Sequence, residues 1–185
     1  MSNTKKIKKN NKNQIKETSS IILEDKYPNG KLRTRFTIKS INDDKTSDYF
    51  DENGEFKYLF TVKDGMRENF YENGQMHSRI NFKDEKRDGL CELFYEDGQL
   101  AFRANYKNDE LDGPYVEYYE SGAIKQRSHY KNGLQHGVVE YFGENGNLEE
   151  RSHFKNGERD GLTEAWDESG KLVYSANYKD GIELD

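Results

Sequence analysis

The chain has 185 residues, 29 basic and 35 acidic, for a net charge of −6, with 32% hydrophobic and 35% charged residues. That is one domain's worth of chain. Its longest apolar run, Ile21-Ile22-Leu23, is far short of the roughly 20 residues that cross a bilayer, and no apolar segment follows the N-terminal lysines as a secretion signal requires.

Leu, Ile, Val and Phe number only 36, a share typical of disordered chains, yet aromatic residues reach 13% and the charges nearly cancel. Such a chain folds by burying rings. Cys91 is the only cysteine, which excludes a disulfide framework and a thiolate metal cluster. A reducing compartment fits, and a cytoplasmic location is expected.

Taken in chain order, residues 1–20 come first, with six lysines, one glutamate and no apolar periodicity. They read as a disordered basic tail. From residue 21 to 185 a repeat takes over. Gly74, Gly98, Gly122, Gly146 and Gly170 fall every 24 residues, and Gly89, Gly113, Gly137 and Gly161 keep the same period. About seven units begin near Tyr27, Asp51, Tyr71, Tyr95, Tyr119, Gly143 and Asp167. The first two are degenerate, the second being four residues short, and the last is truncated. Counting Tyr71, Tyr95 and Tyr119 as position 1, the unit reads Tyr-Glu-Asn-Gly-x-Leu-x-x-Arg-x-x-Tyr-Lys-Asn-Gly-x-x-Asp-Gly-x-x-Glu-x-Phe.

Asn-Gly between alternating apolar residues signals a hairpin, because type I′ turns need positive φ at both central residues. Two glycines per 24 residues and a period of two oppose helix. The expectation is therefore all-β: an elongated single-sheet antiparallel β-meander of tandem 24-residue hairpin repeats, about fourteen strands, twisted or trough-shaped. With positions 3 and 4 as a two-residue turn, position 1 lies opposite 6, and position 22 opposite position 9 of the next unit. One face then collects positions 1, 6 and 12 with Gly of position 19 opposite the position-12 ring, and Cys91 as a buried thiol. The other face carries Arg35, Arg79, Arg103, Arg127 and Arg151 at position 9, glutamates such as Glu92, Glu140 and Glu164 at position 22, and the rings of Phe50, Phe70, Phe94, Tyr118, Phe142 and Trp166 at position 24.

Tyr-Glu-Asn-Gly followed by an apolar residue, then Tyr-Lys-Asn-Gly, then Asp-Gly, resembles the bacterial variant of the MORN repeat over Tyr27 to Asp185, most sharply from Tyr71 onward. The resemblance implies a non-catalytic β-meander for protein or lipid contact. Many bacterial members are of the YwqK-like antitoxin type, which would make the partner a toxin.

No residue pattern suggests an enzyme, a cofactor or a metal. His129 and His153 share position 11, but one repeat separates their strands by about 9.5 Å, too far for one ion at about 2.1 Å from both. The position-2 glutamates, Glu72, Glu96, Glu120, Glu144 and Glu168, repeat as a solvated edge does. Nucleic acid is disfavoured because residues 21–185 carry a net charge of −11. Exposed aromatics beside arginines are the composition of protein-binding hot spots, so Phe94, Tyr118, Phe142 and Trp166 with Arg103, Arg127 and Arg151 are the candidate partner-binding residues. The alternative is a membrane-associated scaffold that contacts anionic lipid through the tail and the position-13 lysines: Lys39, Lys63, Lys83, Lys107, Lys131, Lys155 and Lys179.

Overall fold

Two different turns, alternating along the chain, make the sheet. At positions 14 and 15 both central residues take positive φ: 52° and 73° at Asn108 and Asp109, 50° and 76° at Asn132 and Gly133, 52° and 87° at Asn156 and Gly157. These are the type I′ turns the Asn-Gly pairs call for. At positions 3 and 4 only the glycine is left-handed, as in Gly74 and Gly98 with φ of 96° and 91°. Here the Gly98 N–H donates to the Tyr95 carbonyl at 2.9 Å and the Tyr95 N–H to the Gln99 carbonyl at 2.8 Å, so the loop has three residues, not two. The position-3 side chain selects it. Asn73 Oδ1 accepts the Gln75 N–H and Asp97 Oδ1 the Gln99 N–H, both at 2.8 Å. That bond, the largest influence on Asp97, holds its carboxyl below the ordinary carboxylate range.

The three-residue loop corrects the expected register near the turn: Phe94 of position 24, not Tyr95, faces Leu100 of position 6. A bulge between Leu93 and Phe94 then shifts the pairing back by one, so Leu93 faces Phe102 and Glu92 faces Arg103. The extra loop residue and the bulge cancel, and the expected pairing of positions 22 and 9 survives.

The computed structural model describes residues 21–41 and 62–185; the expected basic tail at 1–20, Phe50 and most of the second unit lie outside the described residues. Among those described there are fourteen strands and no helix: β1 (Ile21–Lys26), β2 (Leu32–Ile41), β3 (Val62–Phe70), β4 (Met76–Lys83), β5 (Lys86–Phe94), β6 (Leu100–Lys107), β7 (Glu110–Tyr118), β8 (Ile124–Lys131), β9 (Leu134–Gln135), β10 (Gly137–Phe142), β11 (Leu148–Lys155), β12 (Glu158–Trp166), β13 (Leu172–Lys179) and β14 (Ile182–Glu183). They form one open antiparallel sheet in meander order. β9 and β10 are two pieces of one strand of the repeat, both paired with β8.

A single layer has no second sheet to pack on, so burial comes from side chains on neighbouring strands. The buried strip runs along the middle of the sheet at positions 8, 10 and 21: Thr34, Phe36, Ser78, Cys91, Ala104, Ser128, Val139, Ser152 and Thr163. This revises the expected core. Positions 6 and 12, exemplified by Leu100, Leu148, Tyr106 and Phe154, are only half-buried, and Leu172 is exposed. Apart from Phe36 the buried side chains are small, and where a strip position holds a larger ring it packs on its neighbours: Phe102 and Tyr115 stack at 5.8 Å and Tyr115 meets Tyr130 edge-on at 5.6 Å. The position-1 tyrosines have a role not foreseen. Tyr71, Tyr95 and Tyr119 donate their hydroxyls to the carbonyls of Phe94, Tyr118 and Phe142, at 2.8, 2.6 and 2.8 Å, tying each three-residue loop to the next repeat.

The expected pairing of position-19 glycines with position-12 rings holds at Gly89 and Tyr106, Gly113 and Tyr130, Gly137 and Phe154, and Gly161 and Tyr178. The demand for glycine comes from the other side of the strand. At Gly113 and Gly161 the backbone is left-handed, φ 119° and 122°, and a Cβ would meet Asn105 and His153 of position 11, on the other flanking strand, and not the ring.

Candidate functional site

Strand alternation puts positions 9 and 22 on one face, and on each strand boundary they are cross-strand partners: Arg35 with Glu24 and Glu68, Arg79 with Glu68 and Glu92, Arg103 with Glu92, Arg151 with Glu140. The side chains make a ladder of alternating charge. Arg79 reaches Glu68 at 3.2 Å and Glu92 at 3.6 Å; Arg103 holds Glu92 through Nε and Nη2 at 2.9 and 2.7 Å. Glu140 lies 3.5 Å from Arg127 and 3.0 Å from Arg151. The expected Arg–Glu pairing is present, with one addition: the acids sink while the bases float. Glu68 and Glu92 are buried, whereas the guanidiniums above them stay partly in water, since Arg carries a long apolar stem and Glu a short one.

The position-24 rings share this face. Phe70, Phe94, Tyr118, Phe142 and Trp166 are each half-buried. Arg127 lies over the Phe142 ring at 5.5 Å and Arg151 over the Trp166 ring at 6.0 Å. The seven candidate residues thus lie along one face, with Arg127 over Phe142, Arg151 over Trp166 and Arg103 engaged by Glu92.

The opposite face holds a second set of cation–aromatic contacts that the sequence reading missed. Arg87 lies over Tyr106 at 4.3 Å, Arg159 over Tyr178 at 5.6 Å and Arg67 over Phe82 at 5.5 Å. Arginine at position 17 of two units, five residues past the ring position, was the available signal. On the same face, desolvation and then the nearby Glu117 carboxylate push the Tyr115 phenol far up, so it stays protonated.

Among the described residues the position-11 histidines and the cysteine form no catalytic arrangement. His129 is exposed, while His153 Nδ1 lies 2.9 Å from the Leu162 carbonyl. No group of three metal-ligating side chains occurs among the described residues. Cys91 is buried, and burial, the dominant influence on it, raises its thiol pKa. Ellman's reagent should therefore label Cys91 only after denaturant is added; stoichiometric labelling of the native protein within minutes would contradict its placement in the buried strip.

Among the described residues no helix is long and apolar enough to cross a membrane. An open meander built from one repeated pair of hairpins, its faces lined by arginines and rings, defines a tandem-repeat scaffold. Five segments, residues 63–84, 87–108, 111–132, 135–156 and 159–180, match the MORN repeat variant. Together they cover more than half of the chain, which belongs to this family of non-catalytic repeat scaffolds. Each match ends at a type I′ turn, and the four from 87–108 onward also start on the strand that leaves one, so the family's 22-residue unit is the hairpin around the three-residue loop. A comparison with curated proteins finds no match.

Proposed function

We propose that the chain is a non-enzymatic scaffold that binds a protein partner across the arginine face. Phe94, Tyr118, Phe142 and Trp166 serve as anchors, and Arg103, Arg127 and Arg151 as the polar contacts between them. One observation supports this most directly: a row of half-buried rings, one per repeat, two of them under guanidiniums, on a sheet face that no other element covers among the described residues. Successive rings are two strands apart, about 9.6 Å, a spacing that a partner surface can engage at several points. Aromatic and arginine side chains dominate binding hot spots because they desolvate large areas at little entropic cost.

In the finer reading the partner is a cytoplasmic toxin that the scaffold inactivates by covering it. The second reading, contact with anionic lipid, draws on the exposure of Lys83, Lys107, Lys131, Lys155 and Lys179. Against it, Lys179 is held by Asp160 at 2.7 Å, and acidic residues crowd the same turns at Asp84, Asp109 and Asp180.

Pull-downs with Phe142→Ala and Trp166→Ala, beside thermal melts, test the surface. Each variant should lose the protein captured by the unmodified chain while staying folded, its Tm lowered by roughly 2–8 °C, because a half-buried ring with its cation–aromatic contact is worth about 1–2 kcal/mol. Unchanged capture by both variants would move the binding surface elsewhere. Rescue of growth on coexpression with a neighbouring toxic reading frame would support the antitoxin role, and salt-sensitive retention on anionic vesicles without any protein capture would favour lipid.

A further inference from the structure

The charge ladder has a gap. From β1 to β11 every strand that carries an arginine of the row is flanked by strands bearing glutamate, until β7, where Val116 is the cross-strand partner of both Arg103 and Arg127. In the intact steps the interposed carboxylate serves both neighbours: Glu68 lies 3.8 Å from Arg35 and 3.2 Å from Arg79, and Glu92 lies 3.6 Å from Arg79 and 2.7 Å from Arg103. Val116 offers an isopropyl group instead. Among the described residues Arg103 and Arg127 each keep only their outer carboxylate, Glu92 and Glu140. Their side chains are 54% exposed, against 38% for Arg79 and 41% for Arg151, which are flanked by acids.

We infer that the Arg103–Val116–Arg127 gap is a receptor for one carboxylate, supplied by an aspartate or glutamate side chain of the protein partner. The inference rests on the reading of this face as the partner surface. Its chemistry is already present three times among the described residues, as the bridging carboxylates of Glu68, Glu92 and Glu140. The two guanidiniums stand on strands about 9.6 Å apart with the carboxylate row midway, so an incoming acid over Val116 meets an N–H donor on either side, charge-assisted at both. The floor is apolar, which strengthens the pairing by lowering the local dielectric. Tyr118, two residues along the same strand and on the same face, supplies a ring beside the site. A monoanion fits better than a polyanion, since residues 21–185 carry a net charge of −11 and repel an extended phosphate chain.

Two measurements test this without any partner protein, so their failure is distinct from failure of the pull-downs. The first titrates the full chain with N-acetylglutamate amide, following arginine Nε–H resonances by NMR, with N-acetylglutamine amide and inorganic phosphate as parallel probes. Shifts should concentrate on Arg103 and Arg127 for the glutamate probe and be absent for the glutamine probe. Equal shifts over all the row's arginines, or none, would overturn the proposal; tighter binding of phosphate at the same two residues would reassign the site to a phosphate group.

The second measurement places the acid in the chain itself. Val116→Glu should melt roughly 2–4 °C above Val116→Gln, lose the difference when Arg103 and Arg127 are both changed to Gln, and no longer respond to the glutamate probe. Val116→Glu melting at or below Val116→Gln would show that the guanidiniums do not converge there. If the receptor is confirmed but Val116→Glu still captures the protein that Phe142→Ala and Trp166→Ala lose, the partner's acid does not use it, and the inference falls while the reading of the face stands.

Discussion

Glu92→Ala should lower the stability of the protein by about 2–3 kcal/mol, equivalent to roughly 4–12 °C in Tm for a domain of this size. Glu92 is 4% exposed, and its Oε1 accepts two hydrogen bonds from Arg103 while Oε2 faces Arg79. Removing it deletes charge-assisted bonds, opens space in a strip with little else to fill it, and leaves two guanidiniums facing each other across a methyl group. The loss stays below the ~3–5 kcal/mol of a fully buried broken pair because Arg79 and Arg103, 38% and 54% exposed, can rehydrate. Glu96→Ala, at an exposed loop position, is the control and should change stability by less than about 0.5 kcal/mol. Chemical denaturation of both variants at 0.1 M and 1 M salt decides the cause. If the Glu92→Ala deficit vanished at high salt, the ladder would be a screened surface array and not part of the packed sheet.

The fold was legible because each of its signals recurs. Glycine spacing located the hairpins, period-two alternation assigned Arg103, Glu92 and Phe94 to one face, and the register of positions 9 and 22 followed even though the loop was misjudged. Asn73-Gly74 and Asn132-Gly133 are the same dipeptide in different turns. What separates them is whether the asparagine side chain caps its own loop, as Asn73 does for Gln75, and that is a property of geometry.

The buried strip was hidden for another reason. Ser128, Ser152 and Thr163 are polar by type, and they are buried because side chains on both flanking strands shield them, Tyr115 beside Ser128 and Val139 beside Ser152, not because water rejects them. Burial in a single-layer sheet is decided by the size of neighbours, which a hydrophobicity pattern along one strand does not contain. The candidate face was legible as a list of residues. Its gap was not: Val116 reads as one more β-branched strand residue until Arg103 and Arg127 are seen on either side of it.

Gly161→Val should be the most damaging single change, costing about 3–5 kcal/mol, and its control is Gly137→Ala. Both glycines occupy position 19 with positive φ, 122° and 92°. At Gly137 a Cβ would find nothing within 4 Å, so alanine there meets only the backbone cost of a left-handed residue, about 1–2 kcal/mol. At Gly161 a Cβ would lie 3.0 Å from the His153 Cβ, and that imidazole is pinned by its contact with the Leu162 carbonyl. Valine adds β-branching, which tolerates positive φ worst. A meander passes contacts only between adjacent strands, so the damage should stay local. Hydrogen exchange should show lost protection in β11, β12 and β13 while β4, β5 and β6 remain protected. Equal destabilisation by Gly161→Val and Gly137→Ala would mean that the backbone alone, and not the His153 contact, demands glycine. Uniform loss of protection from β4 to β13 would mean that the sheet unfolds as one cooperative unit and that its ends are not energetically separable from its centre.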